Sequence, residues 1–429
     1  MKNSLLKSII ILTIGGFITK LLGMITKIVL TRSITTEILG LYMMLTPTLM
    51  LIINLSTTGI PTAISKLVAD DNYNNKKIIF SILPLTVIIN IVIIIVLFLI
   101  APYLSNNLLK NSNLYLGIIS IALLIPFINI ATIIRSYLFG KNNVLPLTLS
   151  NILEQITKLI IFLYLLPIIK YKKASYIIAF LILSNIISEI VEIIVMMLFL
   201  PKNLDLKKRD FIPKINYIKD SLSISIPNAT TKLINSIGLF LEPIILTSTL
   251  HFAGYSSNYI TYNYGIINGY VIPLILLPSF FTSTISKVLL PSISKDYSNN
   301  NIKKVKNKLK LSIFIIGVIA FISTIILLSV PNLLLRLIYH TDKGINYLRI
   351  LAPIFFLEHL STPLAVTLEA IGKGKENMIG TLISTIIKTL SLFILSLFRM
   401  GFYSLIISII ISTIFNIIYL FFKTDKFLS

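Results

Sequence analysis

The sequence predicts an all-α polytopic membrane protein of about twelve transmembrane helices, arranged as two pseudo-symmetric six-helix bundles. Three observations carry that prediction. Charge is scarce: 13% of the 429 residues are charged and 55% are hydrophobic, whereas soluble domains carry about 25% charged residues. Apolar runs long enough to cross a bilayer as a helix, about 20 residues each, recur along the whole chain. Several short motifs also return in the same order in the second half, as internal repeats do.

The spans can be placed in order. In the first half they run roughly from Leu5 to Leu30, Leu39 to Ile64, Ile78 to Ile100, Leu114 to Ile134, Val144 to Leu166 and Tyr176 to Leu200. In the second half they run from Leu222 to Leu250, Tyr262 to Leu290, Ile313 to Leu335, Ile350 to Ile371, Met378 to Phe398 and Phe402 to Phe422. All are expected to be helical, because lipid leaves no partner for an open backbone and the alternation of barrel strands is absent. The basic start and apolar run of the first thirty residues resemble a signal peptide. They contain Lys20 and Lys27 and no small-residue cleavage site, so the segment is expected to be a retained first span. Pro201 to Asp220 is the longest polar interruption near the middle. It divides the chain into a bundle over 1–200, a cytoplasmic linker over 201–220 and a second bundle over 221–429. Six spans before the linker make the repeat parallel, with its axis along the membrane normal.

The formal net charge of +22 would suggest nucleic acid in a soluble protein. Here the basic residues crowd into alternate loops, including Lys76, Lys77, Lys141, Lys207, Lys208, Arg209, Lys303, Lys304, Lys373 and Lys426. The richer side is expected to be cytoplasmic, which puts both termini in the cytoplasm of a multi-pass cell-membrane protein. Nucleic acid is not an expected partner; membrane lipids are. With no Cys there is no disulfide, thiol or cysteine zinc chemistry. With no Trp, the 19 Tyr are left to mark the membrane interfaces.

The repeat carries its charges with it. Thr62-Ala63-Ile64-Ser65-Lys66-Leu67 returns as Ser283-Thr284-Ile285-Ser286-Lys287-Val288, and Thr19-Lys20-Leu21 returns as Thr231-Lys232-Leu233. Ile28-Val29-Leu30-Thr31 returns as Ile244-Ile245-Leu246-Thr247, and Ile156-Thr157-Lys158-Leu159 as Ile386-Ile387-Lys388-Thr389. A lysine inside an apolar helix is costly, so matched lysines point to a shared polar cavity. Lys20, Lys27, Lys158, Lys232 and Lys388 are therefore the expected substrate-binding residues. Lys20 and Lys27 lie two turns apart on one face of span one, where Gly15, Gly16 and Gly23 permit close approach of a neighbour.

Six carboxylates are candidates for a coupling cation or proton: Glu154, Glu189, Glu192, Glu242, Glu358 and Glu369. Pairing with the lysines is the competing reading, above all for Glu154, four residues before Lys158. His359 beside Glu358 has the look of a proton relay, although a lone helical His is more often simply hydrogen-bonded. No metal-binding cluster, nucleophile elbow or ATP-binding glycine loop appears, so no enzyme activity and no cofactor are expected.

Further residues carry a family resemblance. They are Gly40-Leu41-Tyr42 opening span two, Thr58-Gly59-Ile60-Pro61-Thr62-Ala63-Ile64-Ser65-Lys66 closing it, and Arg135 with Gly140 after span four. Glu154-Gln155 in span five and Gly265, Gly269, Pro273, Leu277-Pro278-Ser279 and Leu290-Pro291 in span eight complete the set. Over nearly its whole length the chain resembles the stage V sporulation protein B and oligosaccharide-flippase families of the multidrug/oligosaccharidyl-lipid/polysaccharide exporter superfamily. The resemblance implies a MATE-like V with a lateral opening, a cationic central cavity and a second bundle like the polysaccharide-biosynthesis C-terminal domain. In the related lipid II flippases basic residues on spans one, two and eight matter. Lys20 and Lys27 match the first of these, whereas spans two and eight carry only Lys66 and Lys287, at their ends.

The function expected is flipping of a polyprenyl-pyrophosphate-linked oligosaccharide or peptidoglycan precursor by alternating access, the lysines holding the diphosphate. The alternative is a cation-coupled antiporter of drugs or metabolites on the same fold. Such a protein should line its cavity with carboxylates instead. A scaffold without transport would not need matched lysines.

Overall fold

The computed structural model describes residues 2–57, 60–69, 75–200 and 215–428 of the chain; the side chains of 2–9, 75–77, 215–229, 231 and 287 lie outside that description. The described residues contain no strand. The first half comprises α1 (Lys2–Ser33), α2 (Thr36–Thr57), α3 (Ile60–Ala69), α4 (Asn75–Tyr103), α5 (Tyr115–Gly140), α6 (Val144–Tyr164), α7 (Leu166–Ile169) and α8 (Ala174–Met197). Then follow α9 (Ile215–Phe252), α10 (Ser257–Gly265), α11 (Ile272–Ile275), α12 (Ser279–Ser298) and α13 (Ile302–Ser329). The chain ends with α14 (Pro331–Tyr339), α15 (Ile345–Ala370), α16 (Gly374–Leu397) and α17 (Tyr403–Leu428).

Among the described residues eleven helices are long and apolar enough to cross a membrane, and a bent pair, taken as one span, makes twelve. The bent pair is the expected eighth span. Ser257–Ile275 and Ser279–Ser298 meet at 54°. Pro278 supplies no N–H at the break, and a π-helical stretch over Ile266–Val271 has already loosened the helix before it. The ninth span also differs from expectation. It stops at Ser329 instead of Leu335, and Pro331 starts α14 as a separate helix. The interhelical segment 201–214, which holds most of the expected linker, lies outside the described residues.

The chain forms two compact units, Met1–Ser236 and Ile237–Ser429. In the first, α5 and α6 pack against α8, α1 lies along α6, and α3 and α4 pack on α5. Leu30, Ile161, Phe162, Leu166, Ile177 and Leu181 make one apolar cluster between α1, α6, α7 and α8. In the second, α15 packs against α12, α13 and α17, while α16 packs on α17. Its cluster joins Ile293, Val305, Leu368 and Leu420.

Outward faces are as apolar as the cores. On α4, Ile88, Ile91, Val92, Ile95 and Leu99 are exposed, and on α13 so are Phe314, Val318, Phe321, Ile322 and Ile325. Leu99 reaches 75% and Phe314 68% exposure, which water would penalise and hydrocarbon does not. Many polar groups within the bundles are satisfied locally. Asn129 donates to Asn90 at 2.8 Å, and many Ser and Thr hydroxyls, such as Ser136 and Thr367, donate to carbonyls one turn back.

Candidate functional site

The site in the first unit begins with a glycine. A side chain at Gly15 would collide with Thr148, and a Cβ at Gly23 would lie 3.4 Å from Gln155 Oε1. These two positions let α1 lie close along α6. One turn beyond Gly23, Lys27 opens into a cavity of about 220 Å³. Lys27 and Thr26 line it from α1, Tyr42 and Thr46 from α2, and Gln155 and Lys158 from α6.

Among the described residues no carboxylate lines this cavity. The Lys158 ammonium donates to Asn185 Oδ1 of α8 at 2.6 Å and stands 5.9 Å from the Phe162 ring centroid. Among the described residues Lys27 makes no ion pair. Two cations, a phenol, two threonine hydroxyls and a primary amide thus share one small space. Such a set can hold a compact polyanion: ammonium ions supply charge, and Thr, Tyr and Gln supply hydrogen bonds to its oxygens.

The remaining expected residues fall elsewhere. Lys20 is exposed on α1 and does not line the cavity. Lys232 is exposed on α9; its carbonyl accepts from Ser236, whose hydroxyl in turn accepts from Asn54 of α2 at 2.5 Å. Lys388 on α16 donates to Glu242 Oε2 at 2.6 Å. Glu242 Oε1 accepts a second bond, 3.1 Å, from the hydroxyl of the fully buried Tyr264.

Among the carboxylates, Glu192 is fully buried and clamped by Arg135 of α5. Arg135 Nη2 reaches both carboxylate oxygens at 2.6 Å and Nε reaches Oε1 at 3.0 Å. Glu154 accepts from its neighbour Gln155 at 3.3 Å and forms no ion pair with Lys158, although both influence one another electrostatically. Glu189 belongs to the same group, and its Oε2 is buried without a hydrogen-bond partner among the described residues. Glu369 is exposed and accepts from Asn377 at 2.9 Å.

Glu358 and His359 do not act on each other. Glu358 bonds to Thr413, while His359 bonds to the backbone of Ile275 and, among the described residues, leaves Nε2 buried without a partner. Successive helical residues point about 100° apart, which separates the two side chains.

Sequence reasoning missed the roles of Asn185 and Tyr264. Each is a polar side chain in an apolar helix, but nothing in the local pattern indicates its partner on another helix. Arg135 belonged to the family pattern; its clamp on Glu192 required the packing of α5 on α8.

Fold and composition together define a multi-pass membrane protein with the architecture of a transporter. The chain belongs to the polysaccharide biosynthesis protein family, whose family model matches residues 5–297, and the MatE family model matches residues 265–394. Among curated relatives, stage V sporulation protein B of Bacillus subtilis (strain 168) is 28% identical over 92% of this chain and 78% of that protein. Lipid II flippase MurJ of the same organism is 23% identical over 90% of this chain and 76% of its own. Among solved structures, an inward-facing multidrug resistance MATE family transporter of the MOP superfamily superposes with a TM-score of 0.77. It is 17% identical and covers 96% of this chain and 94% of that one. The fold is that of the MOP superfamily.

Proposed function

We propose that this protein flips a polyprenyl-pyrophosphate-linked glycan across the cell membrane by alternating access, with Lys27 and Lys158 holding the diphosphate. The observation that carries the reading is the cavity's charge: two lysines and no carboxylate among its described lining residues. A cationic drug entering there would be desolvated against like charge, whereas a diphosphate offsets the cost of burying both ammonium ions. About 220 Å³ corresponds to roughly seven waters of liquid volume at about 30 Å³ each. That is room for a diphosphate, with the sugars extending beyond the cavity and the polyprenyl tail staying in lipid. The name of one relative, a lipid II flippase, accords with a lipid-linked substrate.

The excess of basic residues in alternate loops supports cytoplasmic termini. It also supports two six-span bundles joined by the basic segment around 201–220. For coupling, Glu192 is already neutralised by Arg135, while Glu189 retains an unbonded oxygen and is the better candidate for a proton or cation.

The test is thermal unfolding of the purified full chain with undecaprenyl diphosphate or with a cationic dye. Stabilisation that grows with ligand concentration is expected for the diphosphate lipid alone. Lys27→Ala and Lys158→Ala should each reduce it, and Lys304→Ala, exposed in the first turn of α13, should not. Stabilisation by the dye and not by the lipid would replace this reading with a drug exporter.

A further inference from the structure

In both units a glycine of one helix packs on a polar residue of another, a charged residue follows four positions after the glycine, and a lysine follows three positions after the polar residue. In the first, Gly23 of α1 packs on Gln155 of α6; Lys27 follows one turn after the glycine, and Lys158 follows three residues after Gln155. In the second, Gly238 of α9 packs directly on Thr385 of α16, and a side chain at that glycine would collide with it. Glu242 follows one turn after Gly238, and Lys388 follows three residues after Thr385. The lysines Lys158 and Lys388 are also repeat-equivalent by sequence, within Ile156-Thr157-Lys158 and Ile386-Ile387-Lys388. The change is at the fourth residue after the glycine: lysine in one unit, glutamate in the other.

The consequence is electrostatic. In the second unit the glutamate reaches across to its lysine at 2.6 Å, and Tyr264 completes the carboxylate's hydrogen bonding. In the first unit the same two positions are both cationic, and no carboxylate stands between them. Two ammonium ions in a geometry that elsewhere brings a carboxylate onto an ammonium repel unless an anion enters.

We infer that the second unit holds a self-occupied copy of the anion site, in which the Glu242 carboxylate takes the place that a phosphoryl group of the substrate takes between Lys27 and Lys158. Glu242 is thus a tethered anion that restricts substrate binding to the first unit. It stabilises the second unit continuously, whereas the first unit gains the corresponding contact only when loaded. This rests on the proposed diphosphate site and assigns its stoichiometry at one anion per chain. Lys388 and Glu242, expected from sequence to bind substrate and to couple, here neutralise each other.

The experiment compares full-length wild type, Lys27→Ala, Lys27→Glu and Lys27→Glu/Lys158→Ala by thermal unfolding in detergent, each with and without inorganic pyrophosphate. Lys27→Glu should install the pair found in the second unit. Its unliganded midpoint should exceed that of Lys27→Ala by at least about 3 °C, it should lose the pyrophosphate response, and Lys158→Ala should remove the gain. An unliganded Lys27→Glu no more stable than Lys27→Ala overturns the equivalence of the two sites. Absence of a pyrophosphate response in wild type, with Lys27→Glu still stabilised, instead refutes the diphosphate reading and leaves the equivalence standing. Glu242→Lys supplies the complementary measurement. With two ammonium ions in place of the Lys388–Glu242 pair, the second unit should take up pyrophosphate, and calorimetric stoichiometry should rise from one to two per chain. A folded Glu242→Lys that still binds one refutes the tethered-anion role.

Discussion

Replacing Arg135 by Met should be among the most destabilising single changes in the first unit. The guanidinium makes three contacts of 3.0 Å or less with Glu192, whose side chain is 0% exposed against 39% for Arg135. Removing the arginine strands a carboxylate that water cannot reach. Breaking a buried pair in this way costs about 3–5 kcal/mol. The upper part of that range applies, because Glu154 and Glu189 also lie within the arginine's field and lose its compensation. Glu192→Leu removes the same contacts but leaves a partly exposed guanidinium, which can extend toward the surface and still face Glu189 and Glu154. Its cost should be nearer 1–3 kcal/mol, that of lost hydrogen bonding. The double variant should be more stable than Arg135→Met alone, since no buried charge is left behind. Equilibrium unfolding of the four proteins in bicelles by steric trapping gives the coupling energy. Equal costs for the two single variants, or simple additivity in the double, would refute the reasoning from asymmetric burial.

Gly140→Ala places a Cβ 2.7 Å from the Ser65 carbonyl oxygen and 2.9 Å from Val68 Cβ, where backbone must move. A loss of about 1–3 kcal/mol is expected, read as a lower thermal midpoint with pyrophosphate binding retained. In this naturally cysteine-free chain, Lys27→Cys and Lys158→Cys should react with a membrane-impermeant thiol reagent, and Leu99→Cys on the lipid-facing side of α4 should not. Protection of both cavity cysteines by pyrophosphate is expected. Equal reactivity at Leu99→Cys would place the reagent, not the cavity, in control.

Much of this architecture was legible in the sequence, because hydrocarbon imposes a single requirement on every span. Length and hydropathy therefore located the eleven membrane-length helices and the bent pair found among the described residues. They could not show how a crossing bends. Gly265, Gly269, Pro273 and Pro278 were all visible in span eight, but a hydropathy sum is blind to the 54° break they permit. Pro331 likewise ends the ninth crossing early while the apolar run continues to Leu335. The lysines show the corresponding limit at the site. Lys158 and Lys388 have nearly the same neighbours in sequence, yet one donates to Asn185 and opens on a cavity while the other is bound by Glu242. Their partners come from α8 and α9, and only packing brings those helices near. Lys20 shares a face with Lys27 by helical spacing, but it lies beyond the cavity's lining.

The central claim, that Lys27 and Lys158 hold the diphosphate of a lipid carrier during its transfer, is tested most directly in reconstituted vesicles. A fluorescent polyprenyl-diphosphate sugar is placed in both leaflets, and the fraction open to a membrane-impermeant quencher is followed over time. Wild type should render nearly all of the lipid quenchable, whereas Lys27→Gln and Lys158→Gln, folded and incorporated equally, should leave the inner-leaflet half protected. Full quenching by both variants at the wild-type rate would contradict the account.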